Sequence, residues 1–131
     1  MVKVRYEFTD ITNLEAALHD ALLEFNADLA DCEITVGANA DITFKPCQVS
    51  TPAQEALRDG GGVEVDLPEF LGLLCRMVQI IDGRVTIRSP RPAAQMIFDL
   101  RVADSSFALV ETRNVNLRNA FASRLKRERQ V

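Results

Sequence analysis

Met96-Ile-Phe-Asp-Leu-Arg-Val102, Asp104-Ser-Ser106 and Phe107-Ala-Leu-Val-Glu111 read in succession as a strand, a turn and a returning strand. Met96, Phe98, Leu100 and Val102 alternate with polar or outward positions, the period of a half-buried strand. The three polar residues between the runs suit a hairpin. Upstream, Arg84-Val-Thr-Ile-Arg88 alternates in the same way, with Val85 and Ile87 inward, and the extended connector Ser89-Pro-Arg-Pro92 leads on from it. Strands joined by short turns pair antiparallel, so this stretch decides the fold class.

Working outward, Val2 to Phe8 alternates strictly and predicts another half-buried strand. Thr12-Asn-Leu-Glu15 has the form of a capping box. It predicts a helix to about Leu29, with Leu14, Leu18, Leu22, Phe25 and Leu29 as one apolar stripe. Glu33-Ile-Thr-Val36 and Asp41-Ile-Thr-Phe44 read as short strands, with Gly37 to Ala40 as a hairpin loop. Thr51-Pro-Ala-Gln54 caps a short helix, and Val63 to Val65 is a brief strand. Asp66-Leu-Pro-Glu69 caps a helix expected to run to about Ile81 and to be apolar nearly all round; Asp82-Gly83 would turn the chain after it. A last helix is expected from about Asn114 or Asn116, with Leu117, Phe121 and Leu125 inward. The expectation is one globular α+β domain spanning residues 1–131: a mainly antiparallel sheet of about five to seven short strands, packed by two long helices and a C-terminal helix.

The rare residues narrow the chemistry. Three cysteines (Cys32, Cys47 and Cys75), an odd number without close spacing, fit a reducing, cytoplasmic compartment. Burial is expected for Cys75, among Leu73, Leu74, Met77 and Val78, and none of the three is expected to be a nucleophile. The single histidine, His19, lies on a helix flank one turn from Glu15, with no metal-ligand spacing around it. Gly60-Gly-Gly62 lacks the Lys-Ser/Thr of a phosphate loop and reads as a turn. No catalytic set, metal site or cofactor is expected. A mean hydropathy of 0.00 and the lack of a long apolar run argue against a membrane protein.

Charge layout is the feature above background. Residues 1–75 carry a net charge of −10 and residues 76–131 a net charge of +6; between Tyr6 and Phe44 there are nine acids and no Lys or Arg. Asp20, Glu24 and Asp28 follow one flank of the first helix at four-residue steps, and Asp31 joins them. Like charges at that spacing repel, and acids near a helix C-terminus oppose its dipole. The compensation must come from outside the helix: either the arginine-rich second half (Arg84, Arg88, Arg101, Arg113, Arg118) or a partner.

The size, the acidic face and the missing catalytic set resemble bacterial immunity or inhibitor proteins in general character. The first expectation is therefore a small non-enzymatic protein that binds a partner with a basic surface through Asp20, Glu24, Asp28 and Asp31. The alternatives are an assembly subunit, homo-oligomeric through Leu71, Leu74 and Val78 of the apolar 67–81 helix, and a small enzyme or ligand-binding domain with an unadvertised pocket. Direct nucleic-acid binding is not expected of a chain with pI near 5.0, despite the basic run 124–129.

Overall fold

Alternating side chains build the sheet, and cap residues set where its helices begin. The computed structural model describes residues 4–9, 11–46, 49–90 and 92–125. In chain order these form β1 (Val4–Phe8), α1 (Leu14–Glu24), α2 (Asn26–Leu29), β2 (Glu33–Val36), β3 (Asp41–Phe44), α3 (Pro52–Arg58), β4 (Val63–Val65), α4 (Leu67–Arg76), β5 (Met77–Arg88), β6 (Met96–Ala103), β7 (Phe107–Thr112) and α5 (Val115–Leu125). The seven strands form one open antiparallel sheet in the order β1-β7-β6-β5-β2-β4, with β3 also on β5. The fold is α+β, as the strand-and-turn pattern predicts.

The expected caps of the two middle helices are present. The Gln54 amide donates to Thr51 Oγ1 at 3.1 Å, and the Glu69 amide donates to Asp66 Oδ1 at 3.0 Å. At α5, Asn114 Oδ1 accepts the Leu117 amide at 3.0 Å. Asp104 and Ser105 turn β6 into β7 with positive φ at both residues (52° and 51°).

The pairing register gives the sheet two distinct faces. On one, Val63, Val36, Val85, Leu100, Val110 and Tyr6 run across six strands in a single row, and Val65, Ile34, Ile87, Phe98 and Thr112 form the next. Helices cover this face: α4 lies against β2, α1 against β5 and α5 against β7, with α1 between its two neighbours. Phe121 of α5 meets Phe8 and Phe98 edge to face, with ring centroids 5.8 Å and 6.1 Å apart. Leu14, Leu18, Leu22 and Leu29 are buried as the stripe requires, and Phe25 is half-buried.

Four local expectations are corrected. First, Asn13 is left-handed (φ 65°), so α1 starts at Leu14 without the Thr12 cap. Glu15 turns away instead, and its Oε2 accepts the Ile80 amide at 2.9 Å, tying α1 to β5. Second, the first helix breaks at Phe25 (φ −100°, ψ 23°), ahead of Asn26, a residue whose side chain competes with helical backbone bonds. Third, the 67–81 helix ends at Arg76. Met77 is extended, and Met77 to Asp82 pair with β3. A short run rich in Val and Ile serves equally as buried helix or strand by pattern alone, and β3 supplies the backbone partners that decide it. Asp82-Gly83 is accordingly strand, not turn.

Fourth, Gly37 to Ala40 is not a hairpin loop. The strands β2 and β3 do not pair with each other; both run antiparallel along β5, β2 on Val85 to Arg88 and β3 on Met77 to Asp82. They are two parts of one interrupted strand. The Gly60–Gly62 turn closes against this interruption: Gly60 has φ 88°, and a Cβ on Gly62 would come within 3.0 Å of the Val36 carbonyl.

Candidate functional site

The acidic flank is on the surface, as its spacing implies. Asp20, Glu24, Asp28 and Asp31 are all exposed. Two of them have partners within the chain. Asp20 Oδ1 lies 2.9 Å from His19 Nδ1, and Glu24 Oε1 takes a hydrogen bond of 2.7 Å from Arg124 Nη2, a hundred residues away on α5. Internal compensation from the basic half is therefore real at Glu24.

Asp31 also belongs to a second acidic grouping. It lines a shallow depression of 360 Å³ with Glu33, Glu64, Asp66 and Glu69, around Ala30, Cys32 and Val65. The β2–β4 edge and the first turn of α4 assemble this ring from two separated segments, 30–33 and 64–69, so no local pattern announces it. Asp66 is already committed to capping α4. Beside it, burial pushes the Cys32 thiol pKa up, and the Asp31 charge adds to the rise.

The apolar trio proposed for self-association is unevenly exposed. Leu74 is buried, Leu71 is half-buried, and Val78 is 52% exposed on β5. The all-round apolar helix that motivated the trio is absent, because its last five residues are strand.

Cys75, expected in the core, is exposed, whereas Cys32 is buried. Cys47 lies outside the described residues. The fold also brings Cys75 and His19 to one depression of 340 Å³ between α1 and α4, shared with Asp20 and Lys45. Sequence reasoning saw no histidine near any cysteine, because only helix packing brings these two together. Among the described residues, Cys75 makes no hydrogen bond, and no group of three or more His, Cys, Asp or Glu side chains has a metal-binding arrangement.

The uncovered face of the sheet carries a polar row: Glu64, Thr35, Thr86, Asp99, Glu111 and Arg5, in register across six strands. At its centre Asp99 has a side chain only 2% exposed. Its Oδ1 accepts from Arg84 Nε at 2.8 Å and from Thr86 Oγ1 at 2.9 Å, and its Oδ2 lies 3.4 Å from Arg101 Nε. The polar Asp99 and Arg101 within the otherwise apolar β6 run were the available sequence signal for this cluster.

No protein-family model, curated protein or solved structure matches the chain.

Proposed function

We propose that the protein acts by binding a partner protein with a basic surface, an immunity or inhibitor role being the most concrete form. The observation that carries this reading is the carboxylate-ringed depression of Asp31, Glu33, Glu64, Asp66 and Glu69. Asp28 and Asp31 extend the same character onto α2 and the turn after it. Carboxylates on a rigid edge present a standing negative field, which steers a cationic partner and speeds encounter. Glu24 takes a smaller part, since Arg124 already holds it. No helix of the described residues is long and apolar enough to cross a membrane.

The test uses the tagged chain as bait in lysate of its native host, at low and high salt, followed by association kinetics with the purified, identified partner. The expected partner is basic at its contact surface, and its association rate falls as salt rises. Asp28→Lys/Asp31→Lys/Glu69→Lys should keep the fold and lose most of that rate. A partner that binds this variant unchanged at every salt concentration overturns the reading.

A further inference from the structure

We infer that Arg84 and Arg101, held by Asp99 on the uncovered face of the sheet, form a binding site for a phosphoryl oxyanion, distinct from the acidic surface. Arg84 and Arg101 stand directly opposite each other across β5 and β6. Like charges at directly opposed positions repel. One carboxylate serves both, so the cluster of two guanidinium groups and Asp99 keeps an excess positive charge. Asp99 is buried on the face opposite the one packed by α1, α4 and α5, a position that costs hydration and is kept only with good partners.

The geometry says which way the excess charge points. Both arginines turn the Nε edge toward Asp99, and their side chains are 50% exposed. Among the described residues, no terminal Nη atom of either donates a hydrogen bond. Thr86 fixes the same carboxylate from below. Two forks with free outer donors are thus set side by side on rigid strands. Other acids share this face: Glu111 stands directly opposite both Asp99 and Arg5, Glu33 is opposite Arg88, Glu7 lies beyond Leu109, and Asp82 accepts the Asp104 amide at 3.0 Å.

Two planar forks ask for more acceptors than one carboxylate has. A phosphoryl group offers three oxygens and a charge of about −1.5 to −2 at neutral pH, enough to bridge both. The face around the pair is an open sheet, so recognition is of the phosphoryl group and not of its carrier. Inorganic phosphate and a phosphomonoester should both bind.

The experiment is NMR of the arginine Nε–Hε groups during titration with inorganic phosphate, O-phosphoserine and acetate at constant ionic strength. The expected result is saturable shifts at Arg84 and Arg101 with both phosphoryl probes, and binding of acetate at least about tenfold weaker. Arg84→Lys/Arg101→Lys retains the charge but loses the forks, and should bind phosphate at least about tenfold more weakly. Response to O-phosphoserine alone would assign the site to organic phosphates. Non-saturating shifts, shifts spread evenly over all arginines, acetate binding equal to phosphate, or full binding by the folded lysine variant each overturn the site. The acetate comparison needs no variant, so it decides the matter even if the double substitution fails to fold.

Discussion

The two faces of this sheet are made by the same strands and held by different physics. On the covered face, Phe98, Leu100 and Ile87 are buried by helices, and the stabilisation scales with apolar area removed from water. On the uncovered face, Asp99 and Thr86 are equally buried, but under arginine side chains. Burial there is created by long cationic side chains lying over a carboxylate. Low exposure alone does not identify a core; what covers the residue does.

Three substitutions can break or sharpen that contrast. The largest effect is expected on the covered face: Phe98→Ala removes a fully buried ring and its edge-to-face contact with Phe121, at a cost of about 3–5 kcal/mol by denaturant unfolding. Asp99→Ala should cost about 1–3 kcal/mol, since it leaves two opposed arginines without their shared acceptor and Thr86 without its partner. That exceeds the roughly 0–1 kcal/mol typical of exposed ion pairs. A loss inside that smaller range would make the uncovered face an ordinary solvated surface.

The smallest effect is a slope with pH at Cys32. The folded thiol pKa is raised, so the unfolded chain gives up its proton first, near the ordinary thiol value of about 8.5. Stability should be untouched below that pH and decline as pH rises above it. Cys32→Ala should remove this part of the decline, and an identical pH profile in the variant would show that the thiol is not held protonated by the fold.

Much of this fold was legible because its signals are local. Alternation marked β1, β6 and β7, and single cap residues marked α3 and α4 at Thr51 and Asp66. The errors fall where a distant strand chooses between two locally acceptable structures. Met77 to Ile81 became strand because Ile42 and Thr43 pair with Ile80 and Gln79. Gly37 to Ala40 turns locally, with Asn39 left-handed, yet closes no hairpin, because β5 is long enough to receive both flanking segments. The acidic flank was legible as surface, but not as one helical face: Asp20 and Glu24 are on α1, Asp28 is on α2 and Asp31 follows it. The link from Glu24 to Arg124 was not legible, and neither was the ring that joins Asp31 to Glu64 and Glu69, because both depend on chain segments far apart.

The pairing of β1 with β7 has a consequence for synthesis on the ribosome. The first strand emerges about a hundred residues ahead of the strand it pairs with, residues 107–112. The stripe of α1 waits as well, for β5, α4 and α5. Until those elements emerge, Leu14, Leu18 and Leu22 have no native surface to cover them. Exposed apolar segments of that kind aggregate. The same helix carries Asp20 and Glu24, and the chain around it holds nine acids and no Lys or Arg up to Phe44. Mutual repulsion among nascent chains keeps that unfinished stretch in solution until its cover arrives. The acidity that would meet a partner in the finished protein thus has an earlier use, as a guard over an incomplete one.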